Sequence, residues 1–151
     1  MDTKKIVLLI LLPLAACAAT TGKQCTPPAP SASNAAEVII YRPPVGYLFS
    51  QPISIDDCII GEIAEGEFIR YKVVAAKHRI GSEVPAGADM RRSEISSDFK
   101  GGTTSYIRFW LAKEKYRGYL FAPLYSWVGK FEVVDKAVAE QELPKLARAR
   151  E

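Results

Sequence analysis

A short apolar run near the N-terminus constrains this chain more than any other feature. Lys4 and Lys5 precede nine mostly apolar residues, 6–14, and small residues follow up to Cys17. This order of basic, apolar and small residues is typical of a secretion signal. A membrane-spanning helix needs about 20 apolar residues, so we expect the run to be removed. The mature chain is therefore predicted to act outside the cytoplasm.

The signal ends in Leu14-Ala15-Ala16-Cys17. This tetrad resembles the lipobox of bacterial lipoproteins, a family in which the cysteine thiol is acylated and the chain is cut before it. Two or three acyl chains hold a protein stably on a bilayer. Ordinary cleavage at Ala16-Cys17-Ala18, which fits the small-x-small pattern, is the alternative.

The residue after the lipidated cysteine bears on the destination. In the proteobacterial family an aspartate there favours retention in the inner membrane, and this chain has Ala18. The resemblance therefore implies an outer-membrane lipoprotein that faces the periplasm. Its membrane partner would be the bilayer, held through the acyl chains on Cys17.

Composition divides the chain into four segments. The residues after Cys17 are rich in Pro, Ala and Ser, and such composition cannot bury enough apolar surface to offset its ordering entropy. We predict a signal peptide at 1–16, a lipidated cysteine with a flexible linker at 17–36, a β-rich domain at 37–146 and a basic tail at 147–151.

Charge and residue types exclude several functions. The chain carries a formal charge of +3, and loss of residues 1–16 removes two lysines and one aspartate, which leaves +2. A nucleic-acid-binding domain would be strongly basic. The single histidine and the cysteine spacing fit no zinc motif, and no Gly-rich phosphate loop is present. We therefore predict no metal, no cofactor and no nucleic-acid partner.

The residue patterns of the domain predict mainly β structure. Val38–Tyr41 and Cys58–Ile63 are β-branched runs, and Ile69, Tyr71 and Val73 alternate with charged residues at the period of a strand. Ile107, Phe109 and Leu111 form one face of a later strand. Short strands between turns predict an antiparallel β-sandwich or small barrel.

Other local signals predict connections and the C-terminal helix. Gly101-Gly102 indicates a hairpin, residues 82–92 and 112–118 a surface loop and a charged loop, and residues 119–121 and 130–134 the last strands. Asp135 is expected to cap a helix through Leu143 that turns Val138 and Ala139 inward.

The domain also resembles a family. Tyr41-Arg42-Pro43, the hairpin at 53–63, Gly66-Glu67-Phe68 and Lys77-His78 are similar to the bacterial lipoprotein domain catalogued as domain of unknown function 2846. The resemblance spans residues 37–146. It implies a β-rich module, and it carries over no catalytic residue.

Two cysteines remain if Cys17 is lipidated. Cys25 and Cys58 form an even pair in an oxidising compartment, so we predict a disulfide between them. Cys58 lies in an apolar strand, and a buried free thiol there is the alternative.

Catalytic signals are weak. His78 is the single histidine, and it lies between two basic residues as a strand surface residue would. Asp56, Asp57 and Glu62 are the candidate carboxylates of an envelope hydrolase, since glycoside hydrolysis needs two acids about one bond. Adjacent aspartates at a hairpin tip more often serve the turn itself.

Aromatic residues are concentrated late in the chain. Nine of the fifteen lie between residues 106 and 131, interleaved with lysine and arginine. Tyr, Trp and Arg dominate binding hot spots, so we predict a binding or scaffolding module for an envelope protein or a glycan; packing in the core is the alternative. The candidate binding residues are Trp110, Tyr116, Tyr125 and Trp127.

The lipobox predicts the result of removing the thiol. Cys17→Ser should abolish acylation and leave an unprocessed or soluble form, because the sulfur that carries the diacylglyceryl group is gone. Membrane fractionation of cells labelled with palmitate measures this. Equal membrane retention of the variant and the wild type, with no label on either, would contradict the lipoprotein interpretation.

Overall fold

The computed structural model describes residues 23–24, 34–46, 49–84, 90–116, 124–146 and 148–150. These residues form eleven strands, a short helix and a 3-10 turn. Their bounds are β1 Lys23–Gln24, β2 Ala35–Arg42, β3 Gln51–Ile55, β4 Cys58–Ile63, β5 Glu67–Val74, β6 Lys77–Ser82, β7 Met90–Arg91, β8 Ser93–Asp98, β9 Thr104–Tyr116, β10 Leu124–Val134, α1 Lys136–Glu142, the 3-10 turn Leu143–Lys145 and β11 Arg148–Arg150.

The strands form two sheets packed face to face. One sheet has the order β1-β4-β3-β6-β8 and the other β11-β5-β2-β9-β10-β7. This arrangement confirms the predicted mainly β sandwich with a short C-terminal helix. The centre of the second sheet is mixed, because β2 pairs antiparallel with β5 and parallel with β9.

Strand β2 is buried on both faces. Val38 and Ile40 belong to the core between the sheets, and both have no exposed surface. Ile39 and Tyr41 alternate with them and face the outside of the sheet, yet they are also buried. On that side the Tyr41 hydroxyl donates a 2.5 Å hydrogen bond to the Glu142 carboxylate at the end of α1. The helix therefore covers the outer face of β2, so that both faces of this strand are buried.

The alternation predicted for β9 is confirmed. Ile107, Phe109 and Leu111 are buried in the core cluster. The Phe109 ring packs on Phe131 of β10 with 4.9 Å between ring centroids. Burial of these large side chains in one layer is the main stabilising term at this side of the sandwich.

The two sheets approach each other closely at Gly129 of β10. A Cβ built there would lie 2.6 Å from the Oγ atoms of both Ser82 and Ser93, and 2.8 Å from Cε2 of Phe109. The two serine hydroxyls are themselves 3.1 Å apart. A residue without a side chain is therefore required at position 129.

The sandwich has two distinct ends. Its lower end comprises the turns at 56–57, 75–76 and 99–103. Backbone hydrogen bonds tie these turns together, from Asp56 to Arg79, from Phe99 to Ala76 and from Gly102 to Ala35. Its upper end comprises the β2–β3 and β4–β5 connections and the distal part of the β9–β10 hairpin.

The Gly101-Gly102 hairpin prediction is wrong. Strands β8 and β9 belong to different sheets, so the chain crosses between them there. Phe99 lies where the chain crosses between the sheets. Its side chain is 3% exposed and belongs to the core. Gly102 does have a positive φ of 71°, so the chain does turn here as predicted. The two strands that the turn connects, however, do not pair with each other.

Three other local predictions also differ. Strand β9 runs through the predicted charged loop as far as Tyr116, because Lys113 and Lys115 are exposed and a strand tolerates them. The predicted surface loop at 82–92 contains β7. Asp135 does stand at the helix N-cap, but without a side-chain cap bond, and Val138 is exposed whereas Ala139 is buried.

The predicted flexible linker and the predicted basic tail each contain a short paired strand. Lys23–Gln24, inside the predicted linker, pairs with the start of β4. Arg148–Arg150, inside the predicted basic tail, pairs with Glu67–Ile69 of β5. The predicted strand at 119–121 lies outside the described residues. Among the helices that the structure describes, none is long and apolar enough to cross a bilayer.

Gly129→Ala tests the close approach of the sheets. We expect a loss of about 1–3 kcal/mol in the free energy of unfolding, as for overpacking of a dense core. Urea denaturation measures it. Adding Ser82→Ala and Ser93→Ala removes two of the three close atoms, so the triple variant should lose less than the sum of its parts. Strict additivity would show that Gly129 is not a steric requirement.

Candidate functional site

The structure separates the candidate carboxylates. Asp56 and Asp57 form the turn between β3 and β4, and both have positive φ angles, 50° and 66°. This two-residue geometry matches the favoured hairpin twist, and Asp tolerates it. Glu62 lies near the other end of β4, about 15 Å along the strand from Asp57, and it accepts a 2.8 Å hydrogen bond from Ser50. Glu62 and the two aspartates therefore do not flank a common bond.

Asp56 and His78 form a close pair at the lower end. His78 Nδ1 lies 2.6 Å from Asp56 Oδ2, and the other Asp56 oxygen accepts the Arg79 backbone N–H at 2.9 Å. Burial raises the pKa of Asp56, but these hydrogen bonds and the nearby positive charges outweigh it and hold the pKa below 3.8. The His78 ring also stacks on buried Phe99, with 5.7 Å between centroids.

This pair lacks the second half of a catalytic triad. In a triad the outer ring nitrogen of the histidine faces a nucleophile. Here His78 Nε2 lies 2.8 Å from the Val74 carbonyl oxygen. Both ring nitrogens thus face acceptors, and both contacts are hydrogen bonds when the ring carries two protons. The arrangement ties the 56–57 turn to the end of β5, which is a structural role.

Asp57 joins a network of charges on the outer face of the first sheet. It bonds to Arg79 and, at 2.5 Å, to Arg92. Arg92 also lies 3.4 Å from Glu83, and Arg79 lies 3.6 Å from Glu94. The hydrogen bond from Arg92 is the main cause that lowers the pKa of Asp57. Both turn aspartates are therefore already engaged by partners within the fold.

A buried arginine lies at the upper end, which the sequence analysis did not anticipate. Arg42 has no exposed surface, and it donates at 2.8 Å to the Phe49 carbonyl. Its guanidinium is 3.9 Å from Glu65, whose carboxylate accepts the backbone N–H groups of Val45 and Gly46. Burial lowers the pKa of Arg42, and the Glu65 charge opposes this. The pair holds the β2–β3 connection in place.

The two tryptophans have different environments. Trp127 is half-buried and packs against the core. A packing role is therefore favoured over partner binding for this residue. Trp110 is half-buried on the outer face of β9, where it pairs across the strands with Lys130. Tyr116 and Tyr125 lie in the same hairpin by their backbones, and their side chains are outside what the structure describes.

The β9–β10 hairpin continues past its neighbour. Strand β2 pairs with β9 only as far as Arg108, whereas β9 and β10 remain paired from Phe109–Phe131 to Tyr116–Leu124. We call residues 109–116 and 124–131 the hairpin extension; it is about 26 Å long. On its outer face Lys130 bonds Glu114 at 2.5 Å, and Arg108 below it lies 3.6 Å from Glu132.

Cys58 is disulfide-bonded, and Cys17 and Cys25 lie outside the described residues.

A depression of about 140 Å³ at the lower end is lined partly by Glu37, Lys72 and Thr104, and none of the candidate carboxylates borders it. Within the described ranges no three His, Cys, Asp or Glu side chains are grouped to hold a metal.

No family model, curated protein or solved structure matches this chain. The resemblances to lipoproteins and to the domain of unknown function 2846 therefore stay predictions from the sequence.

The lower-end ion pairs predict a loss of stability in acid. Because the folded-state pKa values of Asp56 and Asp57 are lowered below 3.8, the stabilisation is fully present above that value. It should decline as the pH falls below that value and be lost as the pH falls through the folded pKa values. Urea unfolding at a series of pH values from 3 to 7 measures this.

Asp56→Asn is the matched variant for this prediction. Asn tolerates the positive φ angle but lacks the charge, so the variant should be less stable at pH 7 and show a shallower acid decline. An acid decline as steep as in the wild type would assign the effect to other groups.

Proposed function

We propose that this protein is a lipid-anchored lipoprotein of the cell envelope, placed at the outer membrane and facing the periplasm, whose β-sandwich acts as a binding or scaffolding module. The signal and the lipobox-like tetrad ending at Cys17 support the anchor. The disulfide at Cys58 supports an oxidising compartment, because such bonds persist outside the cytoplasm. The partner would be an envelope protein or a glycan.

One observation carries the binding role, namely the outer face of the hairpin extension. Trp110 lies there half-buried, opposite Lys130 of the Lys130–Glu114 ion pair and two residues along β9 from Arg108. A partly accessible tryptophan flanked by charged side chains is the composition of a binding hot spot. The ion pairs fix the neighbouring side chains, so less conformational entropy is lost when a partner binds.

The proposed mechanism is positional. Acyl chains on Cys17 would hold the protein at the bilayer, and the sandwich would hold the hairpin extension in a fixed orientation. The packing of Phe109, Leu111 and Phe131 against the core gives the base of the extension a rigid support. Binding energy would then come from the outer face and the distal part of the hairpin.

The alternative of an envelope hydrolase has less support. Asp56 accepts the Arg79 backbone N–H and contacts His78, Asp57 is paired with Arg92, and both aspartates shape a turn. Glu62 lies too far along β4 to act with them on one substrate bond, since paired catalytic carboxyls stand about 5–9.5 Å apart. No observation on the described residues favours hydrolysis over binding.

Trp110→Ala tests the binding role. We expect partner capture to weaken about tenfold or more, as for a hot-spot residue, while the free energy of unfolding falls by about 1 kcal/mol. Trp127→Ala is the contrast, because its ring packs on the core and its loss should cost about 3 kcal/mol. Quantitative pull-down and urea denaturation measure the two effects.

Site-specific crosslinking in cells would supply the partner. A photo-crosslinking amino acid at position 110 should capture a defined envelope component, and the same group at Ser96, on the opposite sheet, should not. Equal products at both positions, or a stability loss at Trp110→Ala as large as at Trp127→Ala, would contradict binding at this face.

A further inference from the structure

Trp110 lies on a face of the sandwich where the surrounding side chains are charged. Along β9 it alternates with Phe109 and Leu111, which belong to the core, so its own side chain is on the outer face and is half-buried. Lys130 stands directly opposite it on β10. Within the described ranges, the Trp110 side chain makes no hydrogen bond and stacks on no other ring or cation. The accessible part of the indole is therefore free to contact a ligand.

The charged side chains on this face neutralise one another. Lys130 lies 2.5 Å from Glu114. Arg108 lies 3.6 Å from Glu132 and 3.2 Å from Glu142. Each of these groups thus has an opposite charge beside it, and a charged ligand would have to compete with the existing pairs. A ligand without charge can bind and leave all of them intact.

The paired side chains still have hydrogen-bonding capacity. An ammonium group has several N–H donors and a carboxylate has several acceptor positions, and one ion pair uses only part of them. The side chains of Lys130 and Glu114 are 41% and 40% exposed, so their remaining donors and acceptors can reach a ligand. Because a hydroxyl group both donates and accepts, a ligand rich in hydroxyl groups matches this face.

A hydroxyl group at the edge of the same face has no partner. Ser126 stands directly opposite Glu114 in the β9–β10 ladder. It is 2% exposed, and its Oγ atom makes no hydrogen bond. A buried polar group without a partner is unusual and costs stability. The face therefore combines an accessible aromatic ring with an unmet hydrogen-bonding group.

The size of the face favours a small ligand over a protein surface. From Arg108 to Glu114 the strand spans about 20 Å, and two neighbouring strands are about 10 Å wide, which gives about 200 Å². A standard protein–protein interface buries about 800 Å² on each partner around an apolar centre. The next residue of β10 on this face, Val128, is 8% exposed and adds little apolar surface to Trp110. A narrow strip with one ring suits a sugar better than a protein.

We propose that this face is a subsite for an uncharged saccharide, and that it is formed by Arg108, Trp110, Glu114, Lys130 and Glu132. The proposal rests on the binding role argued above and names the class of its ligand. The C–H bonds of a sugar ring stack on the electron-rich face of the indole. The hydroxyl groups at the rim of the sugar hydrogen-bond to the paired lysine and carboxylates. Since no charge is gained or lost, salt should change the affinity little.

Tryptophan fluorescence distinguishes this face from the core, because the chain has two tryptophans. Trp127→Phe leaves Trp110 as the single reporter, and Trp110→Phe leaves Trp127. The full-length protein, kept in lauryldimethylamine oxide because that detergent has no sugar group, is titrated with uncharged tetrasaccharides: cellotetraose, maltotetraose and N-acetylated chitotetraose. At least one saccharide should change the emission of Trp127→Phe and leave that of Trp110→Phe unchanged. A change seen with the Trp127 reporter alone overturns the assignment to this face.

Isothermal titration calorimetry supplies a second readout that needs no change at Trp127, so it holds even where Trp127→Phe is destabilised. The affinity for the responding saccharide should fall about tenfold or more in Trp110→Ala, and Trp110→Phe, which keeps a ring, should retain part of it. In the wild type the affinity should change less than about twofold between about 0.05 and 0.5 M sodium chloride. A steep salt dependence overturns an uncharged ligand.

The outcomes separate the ligand class from the binding role. No response to any of these saccharides, together with capture of an envelope protein by the crosslinker at position 110, overturns the saccharide and leaves the binding role standing. No response and no specific capture overturn both. Circular dichroism of each variant should match that of the wild type, and an affinity loss in Trp110→Ala that accompanies loss of the β-sheet signal counts against a binding contact.

Discussion

Burial of β2 on both faces is the constraint on which the rest of the structure depends. Val38 and Ile40 fill the space between the sheets, and Ile39 and Tyr41 need a cover of their own. Helix α1 supplies it, with Ala139 against the sheet and Glu142 bonded to the Tyr41 hydroxyl. Burial and this hydrogen bond raise the pKa of Tyr41 to about 12, so the hydroxyl remains a donor at neutral pH.

The two ends of the sandwich differ in structure because its connections are distributed unequally. The lower end is dense with short turns and ion pairs, including those of Asp56 and Asp57, so it is a rigid base. The upper end contains the longer β2–β3 connection, held by buried Arg42, and the hairpin extension. The lower end lies beside the N-terminal strand, and the proposed binding surface extends toward the upper end.

Sequence patterns predicted local strands well and their partners poorly. The bounds of β4, Cys58–Ile63, and the buried face of β9 follow directly from β-branched runs and alternation. The pairing of β2 with β9, the crossing at Gly102 and the contact between His78 and Asp56 join residues far apart in the chain, and no local signal encodes them. The sequence also could not predict the burial of Arg42, because Arg-Pro-Pro indicates a turn whether or not the guanidinium bonds to backbone carbonyls.

The edge of β10 argues for recognition through side chains rather than through added strands. Strand β7 pairs with β10 only at Trp127 and Val128, so among the described residues most of this edge of β10 has no neighbouring strand in its sheet. Natural sheets protect such edges with charged residues, and Lys130 and Glu132 supply them here, each engaged by a partner on β9. Unpairing them to admit another strand would cost those ion pairs. The proposed partner would leave them intact and contact the outer face, where Trp110 lies opposite Lys130.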